Sequence, residues 1–189
     1  MKLRIAITLA VLAAALILAF RGDLHAGRVN GAKAASFELI DAESGKPFTD
    51  RDLRGHPAAL FFGFTHCPDV CPTALVTAGR WLKALGSDAD QLRFMFVSVD
   101  PERDTQDALA LYLRSFDPRI IGLTGTRAQT DQMIKRYGVV AIKRETSGSD
   151  YAYDHTSLIQ LFNSDGELAG TADFDEPSET ALAKLRALY

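Results

Sequence analysis

Cysteine is scarce in this sequence, and so is any excess of positive charge. Two cysteines in 189 residues cannot form the multiple-disulfide framework that stabilises many small secreted domains. The formal net charge is −3 and the basic residues are scattered, so nucleic acid is not an expected partner. Internal repeats and low-complexity tracts are also lacking, which excludes repeat architectures. These absences leave an ordinary domain whose chemistry depends on a few positions.

The N-terminal segment is apolar and carries basic residues at its start. Lys2 and Arg4 precede residues 5–20, which hold a single polar side chain. As a helix this run would be about 24 Å long, slightly short of the roughly 30 Å hydrocarbon core. Snorkelling of the flanking Arg4 and Arg21 could extend it. We predict a signal-type membrane anchor over residues 1–21.

The residues that follow predict a tether and then one domain. Residues 22–35 are small, polar and glycine-containing, without apolar periodicity, which is typical of a flexible tether. Leu24-His25-Ala26 is a poor small-x-small cleavage site, which favours a retained anchor, and no lipobox cysteine is present. Short basic N-terminal tails usually stay inside, which would export residues 36–189, a usual length for one domain.

Within residues 36–189 the sequence alternates between short apolar runs and helical spacing. The predicted order is a leading hairpin, then β-α-β-α-β-α, then β-β-α. This order matches an α/β fold with a thioredoxin-like central sheet flanked by helices, an N-terminal hairpin and an insertion before the penultimate strand. Residues 139–153 show no clear helical face and predict an excursion or a surface loop. Strands are predicted at 37–40, 47–49, 58–64, 92–99, 120–123, 157–162 and 167–171, and helices from about 71, 104, 126 and 178.

The two cysteines lie where the first core strand meets a helix. Residues 61–72 read FFGFTHCPDVCP, and Pro72 stands where a helix can begin. We predict Cys71 as the cap of this helix, whose positive end would lower a thiol pKa from roughly 8.5 toward 3.5–7.5. Thiol–disulfide exchange and capture of a soft metal are the functional interpretations. A structural disulfide, worth about 2 kcal/mol for so short a loop, is the alternative.

The pattern around the cysteines differs from that of a thioredoxin. The spacing is C-x3-C instead of C-x2-C, and the larger loop, shaped by Pro68 and Asp69, lets two sulfurs spread around an ion. Thioredoxins place a cis-proline opposite the cysteines, whereas residues 153–157 contain no proline and carry His155. Two thiolates and one imidazole form a soft set that suits Cu(I) better than Zn(II). His155 could instead form a hydrogen bond within the sheet edge.

The other histidines and the methionines are weaker candidates for ligands. His66 would point to the opposite side of an extended stretch from its neighbouring cysteine. His25 and His56 lie in the tether and in a predicted loop, where solvated histidines are expected. Met95 lies in a core strand and Met133 on an apolar helix stripe, so methionine ligation of copper is unsupported.

Carboxylates near these positions could support either the site or the fold. Asp154 could orient the imidazole of His155, or it could cap a turn. Asp69 is a second candidate for such a supporting role. Residues 100–104 form an acidic turn at the carboxyl end of a central strand, where α/β sheets hold ligands. We favour a structural role for this turn, with Asp104 helping to cap the next helix.

Three stretches resemble the motifs of the Sco/SenC family. The members of this family are assembly factors of cytochrome c oxidase. The three stretches are residues 63–73 (GFTHCPDVCPT), 97–105 (VSVDPERDT) and 154–157 (DHTS). The resemblance spans the region 36–189. It implies a thioredoxin-like domain that is tethered to a membrane and faces the periplasm or the mitochondrial intermembrane space.

The resemblance also implies a copper site. Copper, as Cu(I) or Cu(II), would be held by Cys67, Cys71 and His155 and delivered to the binuclear copper site of oxidase subunit II. A Cys67–Cys71 disulfide would remove both sulfur donors, so a thiol reductant and an upstream copper donor are expected partners. The alternative is a thiol–disulfide reductase that keeps the copper-site cysteines of the oxidase reduced. A peroxiredoxin is disfavoured because the sequence has no Pro-x-x-x-Thr/Ser-x-x-Cys pattern.

Overall fold

The computed structural model describes residues 37–146 and 150–189. The predicted membrane anchor (residues 1–21), the predicted tether (residues 22–35) and His25 lie outside the described residues. Within the two described ranges, no helix combines the length and the apolar character that a membrane span requires.

The described residues form nine strands and four α-helices, in the predicted order except for one additional pair of strands. The strands are β1 (Glu38–Asp41), β2 (Pro47–Thr49), β3 (Ala58–Gly63), β4 (Arg93–Ser98), β5 (Ile120–Thr124), β6 (Ala141–Glu145), β7 (Tyr151–His155), β8 (Ile159–Phe162) and β9 (Leu168–Ala172). The helices are α1 (Val70–Leu85), α2 (Gln106–Leu113), α3 (Arg127–Arg136) and α4 (Ser178–Arg186).

Seven of the strands form one sheet, in the order β2-β1-β5-β4-β3-β8-β9. Strands β3, β4 and β5 run parallel at its centre, and the hairpins β1–β2 and β8–β9 flank them in antiparallel pairing. All six residues of β3 are buried, as expected for a central strand that is covered on both faces. The carboxyl ends of β3 and β4 meet at one edge of the sheet, so the loops after these strands lie side by side.

Both faces of the central sheet are covered. Helices α1, α2 and α4 cover one face and bury apolar stripes that include Leu75, Leu109 and Leu185. Helix α3 and the β6–β7 hairpin cover the other face, where Met133 and Tyr153 are buried. Burial of these stripes drives the packing of helix on sheet, since each apolar side chain that leaves water stabilises the fold by about 1.5–3 kcal/mol.

Two helices begin as their sequences predict. The hydroxyl of Thr105 accepts a hydrogen bond from the first turn of α2. Thr126 and Gln129 form the predicted capping box of α3, in which each side chain bonds to the backbone of the other residue. Asp104, which was predicted to share the cap of α2, points into the protein instead and is fully buried.

Helix α1 begins earlier than predicted. Its N-cap position is Asp69, and Cys71 is its second residue, so the prediction that Cys71 caps the helix is wrong. The reason lies in Pro72. None of the first N–H groups of a helix has an intrahelical partner, so proline is tolerated within the first turn and not only at its first position.

Residues 139–153 differ most from the prediction. They leave the central sheet, as an excursion would, but they form strands instead of a loop: β6 and most of β7, which pair as a separate two-stranded antiparallel sheet. Ala141 pairs with His155. Because side chains alternate along a strand, Tyr151, Tyr153 and His155 share one face of this hairpin. The predicted insertion before the penultimate strand is therefore the β6–β7 hairpin.

Candidate metal centre

The fold brings together the three side chains that the sequence singles out. Cys67 lies in the loop after β3, Cys71 in the first turn of α1, and His155 at the end of β7. Their sulfur and nitrogen atoms all lie within 4.8 Å of one another. The Sγ of Cys71 is 3.6 Å from Nε2 of His155. Among the described residues, this is the one cluster of three or more cysteine, histidine or acidic side chains that could hold a metal ion.

The two thiols are chemically unequal. Both are free, and Cys71 is fully buried whereas Cys67 is partly exposed. The Cys71 thiol, the His155 ring and the backbone N–H groups of Cys71 and Asp69 all stabilise negative charge on Cys67, which lowers its pKa well below the ordinary value. The hydrogen bond to Cys67, together with burial, raises the pKa of Cys71. Of the two thiols, Cys67 therefore ionises more readily than Cys71.

The backbone at the start of α1 adds to this asymmetry, after the hydrogen bond between the two thiols. The N–H of Cys71 donates to Sγ of Cys67 at 3.4 Å. This N–H is among the first of the helix, which have no intrahelical acceptor and carry the positive end of the dipole. We predicted a lowered thiol pKa at a helix start capped by Cys71, whereas the pKa of Cys71 is raised and that of Cys67 is lowered. It is the cysteine before the helix that gains the stabilisation.

The imidazole of His155 presents one nitrogen to the sulfurs. Its Nδ1 lies 3.0 Å from the backbone carbonyl oxygen of Thr156. A carbonyl can only accept, so Nδ1 donates to this oxygen and Nε2 is the nitrogen that faces Cys71. The rings of Phe61 and Phe64 contact the imidazole edge-on, with centroid distances of 6.3 and 5.8 Å. The ring is therefore held in an orientation suited to metal ligation before any ion arrives.

Gly63, the last residue of β3, allows the close approach of Cys71. A Cβ at this position would lie 2.8 Å from Sγ of Cys71 and 2.7 Å from the Phe96 ring. Real Cβ atoms essentially never approach other heavy atoms so closely. Only glycine permits the buried sulfur to reach the end of β3 in its observed position.

A buried carboxylate ties the cysteine loop to its neighbour. Asp104 accepts hydrogen bonds from the hydroxyl of Thr65 (2.6 Å), the N–H of Thr65 (3.1 Å) and the hydroxyl of Ser98 (2.6 Å). Burial raises the pKa of Asp104, although these donors act in the opposite direction. The turn at residues 100–104 thus supports the fold, as the sequence favours, but through buried side chains.

The supporting roles suggested for Asp154 and Asp69 need correction. The carboxylate of Asp154 is exposed and pairs with Arg144, while the carbonyl of Thr156 contacts the imidazole of His155. Neighbouring residues of a strand point to opposite faces, so Asp154 cannot reach the ring beside it. Asp69 contributes its backbone N–H to Cys67, and its side chain forms no capping hydrogen bond.

The remaining histidines and methionines lie outside the cluster. His66 is exposed, and its Nδ1 contacts the hydroxyl of Thr65. His56 lies in a loop, as predicted, and is half-buried, with its ring nitrogens beside the carbonyl of Gln91 and the side chain of Arg93. Met95 and Met133 are buried in the core, as predicted.

Sequence reasoning did not single out Tyr112, which lies on α2. Its hydroxyl is buried and has no hydrogen-bond partner among the described residues. Burial, together with negative charge on Cys71 and Cys67, raises the pKa of Tyr112. Its position on the apolar stripe of α2 predicts only a core residue, because nothing in the local sequence points to the distant cysteine loop.

Comparison with known proteins identifies close relatives. A family model described as SCO1/SenC matches residues 26–189. "Protein SCO2, mitochondrial" of Saccharomyces cerevisiae is 37% identical over 170 residues, which are 87% of this chain and 56% of that protein. "Protein SCO1 homolog, mitochondrial" of Homo sapiens is 39% identical over 131 residues, which are 68% of this chain and 44% of that protein. The chain thus spans about half the length of these curated relatives.

A solved structure extends the likeness to three dimensions. The structure of Bradyrhizobium japonicum ScoI with copper bound has a TM-score of 0.77 and 44% sequence identity to this chain. The match covers 82% of this chain and 99% of that one. The predicted fold class, α/β with a thioredoxin-like central sheet flanked by helices, is confirmed.

Proposed function

This chain belongs to the SCO1/SenC family, and from that premise we propose that it is a copper chaperone. It binds copper through Cys67, Cys71 and His155 and delivers it to the binuclear copper site of cytochrome c oxidase subunit II. The observation that carries this proposal is the convergence of two sulfurs and one imidazole nitrogen within 4.8 Å of one another. The copper bound in the ScoI structure of the similar chain supports it.

The chemistry of the donor set fits copper. Thiolate is a soft ligand that selects Cu(I), and imidazole suits copper in both oxidation states. The set has three members, whereas structural Zn(II) sites are normally closed by four. The pKa of Cys67 is lowered and that of Cys71 is raised, so Cys71 must release a proton when it binds copper as a thiolate. Loading is therefore coupled to proton release, and it is favoured as the pH rises.

Ligation is also coupled to the redox state of the pair. Oxidation of Cys67 and Cys71 to a disulfide releases two electrons to an oxidant, together with the protons the pair still holds, and removes both sulfur donors. A thiol reductant must return two electrons before copper is loaded. The partners are accordingly a reductant and a copper donor upstream, and the oxidase subunit downstream.

We place this function at a membrane. The apolar run within residues 1–21 would anchor the chain, with residues 36–189 in the periplasm, or in the intermembrane space if the protein is mitochondrial. Both named relatives are described as mitochondrial. This arrangement would hold the copper site on the side of the membrane where a membrane-embedded oxidase can receive it.

A second candidate function is thiol–disulfide reduction of the oxidase copper-site cysteines. It is favoured by the stabilised, partly exposed thiolate of Cys67 beside a buried partner thiol. An accessible low-pKa thiolate is the attacking group in such exchange, and Cys71 would resolve the mixed disulfide. In this function His155 is not a ligand.

The two functions respond differently to His155→Ala. The full chain in detergent, fully reduced and without oxygen, is titrated with Cu(I) against a competing chelator. We expect one copper per wild-type chain and an affinity at least about 100-fold weaker for His155→Ala, since loss even of a residue that supports a ligand costs 10–100-fold. Reduction of a small disulfide substrate should be nearly unchanged, because both thiols remain.

The control variant is His66→Ala. It removes an exposed histidine that lies next to Cys67 in the loop after β3 but is not part of the cluster. It should leave copper affinity as in the wild type. If His155→Ala binds copper as tightly as the wild type, the chaperone proposal loses its third ligand and the reductase is favoured.

A further inference from the structure

The β6–β7 hairpin carries His155 but pairs with no strand of the central sheet in the described part of the chain. It is held to the rest of the domain by side chains on its inner face. Tyr151 and Tyr153 contact residues of the loops that follow β4 and β3. The distance between the imidazole and the cysteine sulfurs therefore depends on these side-chain contacts and not on a continuous backbone ladder.

Three side chains, Asp100, Arg103 and Tyr151, join the loop after β4 to the first residue of β7. We call them the docking cluster. Asp100 is fully buried and accepts hydrogen bonds from Nε of Arg103 and, at 3.0 Å, from the hydroxyl of Tyr151. The guanidinium carbon of Arg103 lies 3.7 Å from the centroid of the Tyr151 ring, which is a close cation–π contact. A buried charge is thus matched by one cation and one hydroxyl that together fix the hairpin.

A row of rings connects the docking cluster to the imidazole. Tyr151 contacts Tyr153 with centroids 6.0 Å apart, and Tyr153 contacts Phe64 at 5.8 Å. Phe64 in turn meets the ring of His155 edge-on at 5.8 Å. Close-packed rings have little room to adjust separately. A displacement of Tyr151 should therefore move His155 relative to the sulfurs.

A second attachment keeps the hairpin on the domain when the docking cluster is changed. Arg127 donates to the hydroxyl of Tyr153 at 3.1 Å and to the carbonyl of Val99 at 2.8 Å. This contact lies on α3 and is independent of Asp100. Changes in the docking cluster should thus shift the hairpin without unfolding the domain.

We propose that Arg103 and Tyr151 are positioning residues for the third ligand, because they hold the β6–β7 hairpin where Nε2 of His155 reaches the cysteine sulfurs. The inference rests on the ligand role proposed for His155 and deepens it. Neither residue touches the ion. Each acts through the placement of the imidazole.

Three variants test this proposal in graded steps. Tyr151→Leu removes both the ring and the hydroxyl. Tyr151→Phe keeps the ring and its cation contact but removes the hydrogen bond to Asp100. Arg103→Lys keeps a positive charge beside Asp100, so the buried carboxylate is not left unpaired. The same variant removes the planar guanidinium that stacks on the Tyr151 ring.

The first readout needs no metal. In the reduced, copper-free full chain in detergent, nuclear Overhauser contacts between the His155 and Phe64 rings report the position of the imidazole. We expect these contacts in the wild type, weaker contacts in Tyr151→Phe and Arg103→Lys, and none in Tyr151→Leu. Unchanged contacts in Tyr151→Leu would overturn the proposal, whatever the copper affinity.

The second readout is the copper-loaded protein. X-ray absorption should find two sulfurs and one imidazole nitrogen around copper in the wild type, and loss of the nitrogen in Tyr151→Leu. Copper affinity should fall about 10–100-fold, the range found for residues that orient a ligand. If the ring contacts are lost but affinity and ligand count are unchanged, the positional claim is supported and the ligand role of His155 is overturned.

Arg119→Lys is the matched control. Arg119 pairs with Asp117 at the start of β5, so this variant also weakens an arginine–aspartate pair, but one outside the docking cluster. It should lower the unfolding midpoint by a similar amount without changing ring contacts or copper affinity. A loss of copper affinity in Arg119→Lys equal to that in Arg103→Lys would show a general effect of stability and would overturn the proposal.

Discussion

Substitution of Gly63 by alanine tests whether close packing at the end of β3 sets the position of the buried sulfur. The added methyl group would lie 2.8 Å from Sγ of Cys71 and 2.7 Å from the Phe96 ring. Carbon atoms in contact normally lie 3.5–4.0 Å apart, so these neighbours must move by roughly 1 Å. Inserting a methyl group into a well-packed core typically costs about 1–3 kcal/mol.

Neither neighbour can move freely. Cys71 is fixed by the first turn of α1, and the Phe96 ring is fully buried in the core. We therefore expect Gly63→Ala to lower the free energy of unfolding by about 1–3 kcal/mol. We also expect weaker copper binding, because the Cys71 sulfur would be displaced from the other two ligands. Urea unfolding and chelator competition measure the two effects separately.

Gly79→Ala in the middle of α1 is the control. There the added Cβ would meet its nearest neighbour, in Asp117, at 3.3 Å, which requires a shift of only a few tenths of an ångström, and alanine is the better helix former. This variant should change stability little and leave copper affinity unchanged. If Gly63→Ala matches the wild type in both stability and copper affinity, the packing argument for the sulfur position is refuted.

Two further predictions concern titration. Because the pKa of Cys67 is lowered, its alkylation by iodoacetamide, followed by mass spectrometry, should stay fast as the pH falls well below 8. Cys71→Ala should shift the midpoint of the alkylation rate of Cys67 to higher pH. An unshifted midpoint would contradict the hydrogen bond between the thiols. Because burial raises the pKa of Asp104, this group favours folding at low pH, and that contribution is lost as the pH rises through the raised pKa. We therefore compare the free energy of unfolding of the wild type with that of Asp104→Asn. The difference between them should fall as the pH rises from about 4, the pKa of aspartate in the unfolded chain. A difference that does not vary with pH would show that the pKa of Asp104 is not shifted on folding.

Much of the fold could be predicted from the sequence because its central elements are strongly patterned. The run at residues 58–64 is continuously apolar, as a strand covered on both faces must be. The Thr126 and Gln129 pair predicts its helix start from local chemistry alone. The cysteine pair and the histidine could be singled out because few residue types ligate soft metals.

The β6–β7 hairpin could not be predicted in the same way. Lys143, Arg144 and Glu145 are exposed charged residues that show none of the apolar alternation typical of a half-buried strand. The hairpin is held by Tyr151 and Tyr153, whose partners lie on other loops far away in sequence. Contacts of this kind are decided by tertiary packing, which local patterns do not encode.

The supporting carboxylates were misassigned for a related reason. Asp154 is next to His155 in sequence, but a strand sends neighbouring side chains to opposite faces. Asp104 precedes a helix, where an exposed cap is the usual role, yet its position beside Ser98 and Thr65 turns it inward. Adjacency in sequence was a poor guide to contact in both cases.

The unequal burial of the two cysteines bears on the order in which the two sulfurs would react. Cys67 is partly exposed to solvent, whereas Cys71 is fully buried. In either proposed function, an incoming group would therefore meet Cys67 first, whether it formed a mixed disulfide or took over a bound ion. Cys71 would then enter at the later step, so unequal burial would set the order of events at the two sulfurs.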